Sequence, residues 1–286
     1  MKSVLVTGGA GYFGQAFTRR LLGPDSPDLD LERLCIYSRN EWNQHQLRAM
    51  FGNDDRLRYF IGDVRDSDRL RRAMQGCDTV VHAAALKRVE AVESNIMEAV
   101  ATNIVGTENV AKAAIDAGVS RVVLLSTDKA AAATTVYGLT KAMAEAIFRT
   151  ASAYVRHDRT LFTICRYGNV WRSTGSVVPI WGRLLAGGET EVPVTNPECT
   201  RFFMTADQAV DLVLKAIKLT KGGDLFTPDL PAYDLRTLAL AMGATGFRPM
   251  TMARGEKLHE RMTEEGPDSS QVRRMTVQEL KEALEQ

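Results

Sequence analysis

The sequence predicts an α/β protein with a doubly wound parallel sheet followed by a smaller C-terminal lobe. Three observations support this fold class. Over the first 165 residues, short apolar runs rich in β-branched residues alternate with longer segments of helical periodicity. A glycine-rich turn follows the first of these runs. After about residue 167 the alternation gives way to stretches rich in glycine and proline.

Six apolar runs are the predicted strands. Each is short and apolar on both faces, which is typical of a parallel sheet covered by helices on both sides. The runs occupy 4–6, 34–37, 59–61, 79–81, 122–125 and 161–164. Helical segments such as 97–117 and 137–155 lie between them. Because strands that alternate with helices form right-handed βαβ units, the sheet is expected to be doubly wound.

The chain after residue 166 is predicted to form the smaller lobe. Helices are expected over 206–219 and 233–242, and a closing amphipathic helix from Val272 onward. We place the division at 1–166 for the sheet domain and 167–286 for the lobe. The lobe is expected to pack on the sheet without a large core of its own.

Composition excludes several classes of protein. The 286 residues carry 36 Lys+Arg and 35 Asp+Glu, and a net charge of +1 argues against a nucleic-acid partner. No apolar run reaches the roughly 18 residues of a membrane span. The N-terminus lacks the layout of a signal peptide, so we expect a cytoplasmic protein. The four cysteines form no C-x-x-C pair and the four histidines are scattered, which predicts free thiols and no metal site.

The glycine-rich turn TGGAGYFG follows the first predicted strand and opens a helix. Its glycines permit a tight turn, close approach of a pyrophosphate, and close packing of helix on strand. The N–H groups at the helix start then point at the phosphates. This pattern predicts a Rossmann-type dinucleotide site, with a purely structural turn as the alternative. The predicted cofactor-binding residues are Thr7, Gly8, Gly11, Tyr12, Phe13 and Gly14.

The end of the second strand indicates which dinucleotide binds. An acidic residue there would bind the ribose 2′-hydroxyl of NAD, but this chain has Ser38-Arg39-Asn40. A hydroxyl and a guanidinium suit a 2′-phosphate, so NADP is predicted over NAD. The alternative is that Arg39 is a solvated surface cation. Asp63 and Val64 lie where an adenine amino group can be read, although Asp63 is equally suited to cap a helix.

Two segments carry the predicted chemistry. Ser126-Thr127-Asp128-Lys129 ends the fifth strand, and Tyr137 and Lys141 share one face of the next helix. A lysine beside a phenol, near a nicotinamide cation, is expected to lower the pKa of the phenol. The resulting phenolate takes the proton of a substrate hydroxyl as hydride leaves its carbon.

With these motifs, the chain resembles the extended short-chain dehydrogenases/reductases. It is most similar to the inverting UDP-N-acetylglucosamine 4,6-dehydratases. The resemblance runs from residue 7 to about residue 260. The matching segments are TGGAGYFG, FIGDVRD, HAAALK, TNIVGTENV, LSTDKA, YGLTK, RYGNV, GSVVP, TRFFMT and ARGEKLHE. Retaining dehydratases carry Asp-Glu after the threonine, whereas the inverting ones carry Asp-Lys, as this chain does.

The resemblance implies roles for the catalytic residues. Tyr137 removes the C4 hydroxyl proton, and Thr127 hydrogen-bonds the C4 oxygen. Lys129, as a neutral amine whose pKa is lowered by Lys141 and burial, removes the C5 proton. Asp128, held protonated, donates to the departing C6 hydroxyl. The tightly bound NADP is regenerated in each cycle, and the alternative for Asp128 and Lys129 is a surface ion pair.

The resemblance also implies the ligand contacts. Ala83, Ala84 and Ala85 belong to the cofactor site, and a UDP-sugar is the expected substrate. Two arginines suit its pyrophosphate. For each substrate-binding residue the alternative is a residue that packs the lobe or is solvated. The implied substrate-binding residues are Lys87, Asn169, Ser176, Val177, Arg201, Arg254 and Glu256. Arg88 and Glu90 depart from the family pattern, which weakens the assignment of the exact hexose.

Other functions remain open at this stage. A 4-epimerase, a reductase or a retaining dehydratase is expected to use the same fold, and Asp128-Lys129 argues against these. A non-catalytic NADP-binding sensor would be expected to have lost Tyr137 or Lys141. The family resemblance further implies homo-oligomers built through the helices at 97–117 and 137–155.

Overall fold

The helices and strands follow the alternation of the sequence. The computed structural model describes residues 1–24, 26, 30–155, 159–252 and 254–285. Within these ranges the strands are β1 (Ser3–Thr7), β2 (Arg33–Ser38), β3 (Leu57–Ile61), β4 (Thr79–His82), β5 (Arg121–Thr127), β6 (Leu161–Tyr167), β7 (Asn169–Val170), β8 (Glu191–Val194), β9 (Thr200–Met204), β10 (Leu225–Phe226), β11 (Ala232–Asp234) and β12 (Gly246–Pro249).

The helices of the same ranges pack around these strands. They are α1 (Tyr12–Leu22), α2 (Glu41–Phe51), α3 (Ser67–Met74), α4 (Val89–Ser94), α5 (Ile96–Ala99), α6 (Gly106–Asp116), α7 (Val136–Tyr154), α8 (Val177–Ala186), α9 (Ala206–Leu219), α10 (Leu235–Ala241) and α11 (Val277–Glu285). A π-type segment, Val100–Val105, joins α5 to α6, and a 3-10 turn, Asp128–Ala130, follows β5.

The main sheet is parallel throughout and has the order β10-β6-β5-β4-β1-β2-β3. All six predicted runs are strands of this sheet, which confirms the predicted fold class. The first strand lies inside the sheet between β4 and β2, and the chain moves outward to either side of it. The carboxyl ends of the strands therefore meet along one edge, where a doubly wound sheet opens a crevice.

Helices cover both faces of the sheet because each strand is apolar on both sides. On one face, Phe17 of α1 and Val213 of α9 pack against Val4 and Val6. On the other face, α3, α6 and α7 cover alternate residues of the same strands, such as Leu5. Burying side chains of this size stabilises the fold by about 1.5–3 kcal/mol each.

The lobe differs from the prediction because it has an apolar core of its own. Trp171, Trp181, Leu238 and Leu280 are buried together between α8, α10, α11 and the small sheets β11-β9-β7 and β12-β8. The later chain also returns to the main sheet, since β10 pairs with β6 and α9 packs on α1. The second part of the chain therefore contributes to both halves of the molecule.

The predicted helices agree in position with three exceptions, the first being that the predicted helix 97–117 is divided into α5, the π-type segment and α6. Helix α9 has the predicted bounds 206–219, and α7 is shifted by one residue. Residues 232–234 form β11 instead of a helix because they pair with β9, and Asp234 then caps α10 by accepting from Thr237 N at 2.7 Å. The closing helix begins at Val277, five residues later than predicted.

All four cysteines are buried free thiols, as predicted. Among the described residues, no helix is both long enough and apolar enough to cross a membrane.

Candidate active site

A cavity of about 900 Å³ opens at the carboxyl edge of the sheet and continues into the lobe. Most of the residues predicted from the sequence line this one space. They are Gly8, Gly11, Tyr12, Phe13, Ser38, Arg39, Asp63, Val64, Ala83, Ala84, Ala85, Lys87, Thr127, Lys129, Tyr137, Lys141, Asn169, Ser176, Val177, Arg201 and Glu256. The cofactor and substrate predictions therefore describe two ends of a single site.

The glycine-rich turn is shaped for a close approach of phosphate. Gly8 has φ +67°, and a Cβ there would lie 2.9 Å from the Ala84 backbone. A Cβ on Gly14 would lie 2.1 Å from the Gly9 carbonyl oxygen. Helix α1 starts after Gly11 without a side-chain cap, so its first N–H groups are left for an anion. The turn fits a dinucleotide pyrophosphate.

Thr7 and Gly14 support the turn from behind and are not among the described residues that line the cavity. Thr7 Oγ1 accepts from Ala84 N at 3.2 Å and meets the His82 Nδ1 at 2.7 Å. His82 Nε2 lies 3.0 Å from Thr107 Oγ1 on α6. His82 was not predicted from the sequence, yet it links the turn to two further elements.

Arg39, directly after β2, lines the cavity with about half of its side chain exposed. Its guanidinium lies 3.6 Å from the Asp63 carboxylate, which also accepts from Arg65 N and from the Arg65 guanidinium at 2.7 Å. Burial acts to raise the Asp63 pKa, but these partners lower it overall. Asp63 does not cap a helix, because Asp66 fills that position at α3.

Ser38 is held by a residue that the sequence did not reveal. The buried Gln44 donates from Nε2 to the Ser38 hydroxyl at 3.0 Å and to the Ser38 carbonyl at 3.1 Å. The end of β2 is thereby fixed beside the start of α2.

Tyr137 and Lys141 lie on the first two turns of α7, whose N-terminus is capped by Thr135 accepting from Gly138 N at 3.1 Å. Lys141 Nζ donates to the Leu125 carbonyl at 2.6 Å, and burial lowers its pKa to about 8.

The protein alone does not lower the pKa of the phenol, and the predicted effect of a nicotinamide cation stays a prediction. Burial raises the pKa of Tyr137 to about 12, against the Lys129 charge and a hydrogen bond with Thr127. The penalty for a buried phenolate exceeds the help from these neighbours, and the Lys141 ammonium is directed at a carbonyl.

Lys129 lies between two buried carboxylates. Its Nζ is 3.2 Å from Asp128 Oδ1 and 3.1 Å from Glu260 Oε1, and it donates to Asn169 Oδ1 at 3.4 Å. Burial acts to lower the pKa of Lys129, but the two carboxylates raise it above its ordinary value. The expected lowering by Lys141 is therefore wrong. The neighbouring cation that acts in that direction is Arg201.

Asp128 is fully buried, just behind the cavity wall. Its Oδ1 accepts from Thr127 Oγ1 at 2.9 Å, whereas Oδ2 has no hydrogen-bond partner among the described residues. Burial raises the Asp128 pKa, Lys129 opposes this, and the Glu260 charge adds to it. Burial therefore makes this carboxyl group harder to ionise than an exposed one.

The substrate-side residues have different surroundings. Lys87 is exposed where it lines the cavity, and partial desolvation by the neighbouring protein lowers its pKa. Ser176 precedes α8, and its buried hydroxyl has no partner within the ranges the structure describes. Arg201 is bonded to Glu256 at 2.8 Å and to carbonyls of the segment 257–258. Arg254 is exposed and lies outside the described cavity lining, so the two predicted arginines do not meet at one place.

Asn103 is a further residue that sequence reasoning missed. It lies in the π-type segment, and its side chain bonds both the N–H and the carbonyl of Leu86, at 2.8 and 2.9 Å. It also donates to Thr140 Oγ1 at 3.0 Å. Asn103 therefore fixes the loop that follows β4 against the helix that carries Tyr137. The only signal was its place in the segment TNIVGTENV.

Fold and site together define a Rossmann-type enzyme of nucleotide-linked chemistry, and the comparisons with known proteins agree. The sequence profile of the polysaccharide biosynthesis protein family matches residues 4–281. The chain belongs to this family, and its resemblance to the extended short-chain dehydrogenases/reductases is confirmed.

Individual relatives of known name are similar to this chain over most of its length. The chain is 40% identical over 262 residues to a UDP-N-acetylglucosamine 4,6-dehydratase (inverting) of Campylobacter jejuni strain 81-176, covering 91% of this chain and 77% of that protein. It is also 40% identical over 241 residues to a UDP-glucose 4-epimerase of Rickettsia akari, covering 84% and 70%. The solved structure of Pen from Bacillus thuringiensis is 33% identical, with a TM-score of 0.92, and covers 100% of this chain and 98% of that one.

Proposed function

We propose that the protein is a nicotinamide-dependent UDP-sugar 4,6-dehydratase that inverts C5, with UDP-N-acetylglucosamine as its substrate. The observation that carries this proposal is the buried Asp128-Lys129 pair beside Thr127 and Tyr137 in one cavity. An oxidoreductase needs only the tyrosine, the lysine and the threonine. A carboxyl group and an amine beside them supply the acid and the base that elimination of water requires.

Each side chain then has one task. Tyr137 accepts the C4 hydroxyl proton, and Thr127 hydrogen-bonds the same oxygen. Lys129 removes the C5 proton, which the new C4 ketone has made acidic. Asp128 protonates the C6 hydroxyl as it leaves as water. A nicotinamide, when bound, would supply the acceptor for the C4 hydride and would allow its return to C6. A proton must then add to C5 from the face opposite the one that lost it, which inverts that centre.

The Tyr137 pKa of about 12 constrains the first step. A phenol with this pKa is protonated near neutral pH and is a poor base. The positive charge of an oxidised nicotinamide, when bound near the phenol, would favour the phenolate. Proton acceptance by Tyr137 is therefore coupled to cofactor binding.

NADP is the cofactor we propose. Arg39 lines the cavity where the 2′-position is expected, and the end of β2 carries no acidic residue. A half-exposed guanidinium has donors left for a phosphate, although Asp63 competes for them.

The lobe is assigned to the UDP moiety and the hexose. Asn169, Ser176 and Val177 line the cavity from β7 and the start of α8. Arg201 serves the pyrophosphate if substrate displaces Glu256, which then takes ribose hydroxyls. Arg254 requires movement of its segment to take part. Lys87, which also lines the cavity, is assigned to the hexose.

We also propose a homo-oligomer. Met97, Leu139 and Met143 are more than half exposed, on helical segments that contact each other. Apolar side chains clustered on adjacent helices favour burial against a second copy.

The test is incubation with UDP-N-acetylglucosamine in deuterated water, followed by NMR. We expect a 4-keto-6-deoxy product with inverted configuration and deuterium at C5. Tyr137→Phe, which removes only the phenolic hydroxyl, is expected to lower turnover by about a hundredfold or more. The absence of any keto product from the unsubstituted protein would refute the proposal.

A UDP-sugar 4-epimerase is the second candidate, because the relative from Rickettsia akari carries that name at the same identity. An epimerase oxidises and reduces C4 without breaking the C5–H bond. The same experiment separates the two, since an epimerase gives a C4 epimer with its C5 proton retained.

A further inference from the structure

Glu260 is a buried carboxylate that lines the cavity and was not among the predicted site residues. Its side chain is 2% exposed, and Oε1 lies 3.1 Å from Lys129 Nζ. Its Oε2 is buried without a hydrogen-bond partner among the described residues. An acceptor left unpartnered in a polar cluster is costly, so this atom calls for a physical explanation.

Several charged groups surround the contact between Lys129 and Glu260. Asp128 faces Lys129 from the turn after β5, and Arg201 of β9 acts on both groups. Lys257 lies 3.9 Å from Glu260 Oε2, but its Nζ donates to the Ala131 carbonyl at 2.7 Å. The nearest proton that can move to Glu260 is therefore the one on Lys129.

The proposed reaction requires Lys129 to be a neutral amine, but an ammonium between two carboxylates holds its proton firmly. We propose that Glu260 is the proton partner of Lys129. The N–H bond of Lys129 breaks as an O–H bond forms on Glu260, which leaves a free amine and a carboxylic acid. The amine then takes the C5 proton. Glu260 acts through Lys129 and is a positioning residue, and its role rests on the proposed function.

Substrate binding favours this transfer. A sugar nucleotide that fills the cavity excludes water from Lys129, and a dry environment penalises two charges more than a neutral pair. Asp128 is a poorer partner, because the acid that protonates the leaving hydroxyl must keep its own proton. Two carboxylates beside one amine thus divide the acid and base functions between them.

The experiment compares Glu260→Gln with the unsubstituted enzyme in deuterated water. The amide oxygen still accepts a hydrogen bond from Lys129 but cannot bind its proton. We expect deuterium incorporation at C5 to fall about tenfold or more near neutral pH. It should then rise with pH more steeply than in the unsubstituted enzyme, because the Lys129 proton must leave to solvent. Reduction of the cofactor in a single turnover should change by less than about twofold.

Two further variants complete the design. Glu265→Gln removes an exposed carboxylate from the same segment and should leave every rate unchanged. Glu260→Asp keeps a carboxylate and should restore part of the exchange. The thermal midpoint of each variant shows that it is folded.

The outcomes are distinct. An unaltered exchange rate and pH profile in Glu260→Gln would overturn the role of Glu260. Faster exchange would also overturn it, because the carboxylate would then merely hold the proton on Lys129. If the unsubstituted enzyme forms no keto product, the proposed function fails and this role fails with it.

Discussion

At the scale of single residues, neighbouring charges decide what each group does. Lys129 follows Asp128 in the chain, but Glu260, 131 positions further on, lies equally close to its ammonium. Arg201 likewise has a charged partner that is distant in the chain, because its guanidinium is bonded to Glu256. Residue types in a motif therefore set which chemistry is possible, and the surrounding charges set the protonation state in which it starts.

Arg39 carries a prediction at this scale. Arg39→Ala should raise the dissociation constant for NADP about tenfold or more and leave that for NAD nearly unchanged, because a charged hydrogen bond to the 2′-phosphate is lost. Both constants are measured by titration of the purified protein.

Arg65→Ala is the matched control. Arg65 also binds the Asp63 carboxylate, at 2.7 Å, but is not among the described residues that line the cavity. Its loss should leave both constants unchanged. An equal loss for both cofactors in Arg39→Ala would contradict the assignment.

At the scale of elements, buried polar contacts hold the site in register. His82 ends β4 and lies between Thr7 of β1 and Thr107 of α6, with both ring nitrogens in contact with hydroxyls. Asn103 is hydrogen-bonded both to the loop after β4 and to α7, and so connects the two. His82 thus ties the glycine-rich turn to α6, and Asn103 ties α7 to the π-type segment that precedes α6. The turn and α7 are therefore held by the same stretch of helix.

His82 predicts a pH dependence of stability. Burial lowers its pKa to about 3, from an ordinary value near 6.5. Between these values the unfolded chain binds the proton and the folded chain does not. Stability is therefore complete above about pH 6.5 and falls as the pH is lowered toward 3, by at most about 1.4 kcal/mol per pH unit.

The measurement is urea unfolding at several pH values. His82→Gln should reduce the acid-side slope of the unfolding free energy, whereas substitution of the exposed His45 by Gln should preserve it. An unchanged slope in His82→Gln would assign the acid sensitivity to other groups.

At the scale of the whole molecule, one buried ion pair joins the sheet, the catalytic helix and the lobe. Arg166 at the end of β6 donates to Glu145 of α7 from Nε and Nη2, at 2.9 and 2.6 Å. It also donates from Nη1 to the Met262 carbonyl at 2.7 Å, two residues from Glu260. Ser126, beside Thr127, donates to the same Glu145 at 2.5 Å. The network supports the site from behind.

Loss of this pair should destabilise the whole protein. Arg166→Met leaves Glu145 buried with its charge largely uncompensated, and should lower the free energy of unfolding by about 3–5 kcal/mol. Arg149→Met removes a half-exposed partner of the same carboxylate, 3.2 Å away, and should cost about 0–1 kcal/mol. Urea titrations measure both, and equal losses would refute the distinction.

The features predicted from the sequence are those with a local signal. Alternating apolar runs predicted all strands of the main sheet except β10, which has only two residues. The glycine spacing predicted the turn, and the interval between Tyr137 and Lys141 placed both on one helical face. The core of the lobe and the strand at 232–234 were missed, because both depend on pairing with β9 and on packing between distant segments.

By itself, the sequence determined the fold class, the glycine-rich turn and the choice of side chains proposed to react, because each is encoded by spacing within one segment. Only the tertiary structure decided the electrostatic surroundings of these side chains. It placed Glu260 against Lys129, bonded Arg201 to Glu256, and buried Tyr137 deeply enough to raise its pKa. Electrostatic energy depends on distance and burial in space, and neither can be read from separation along the chain.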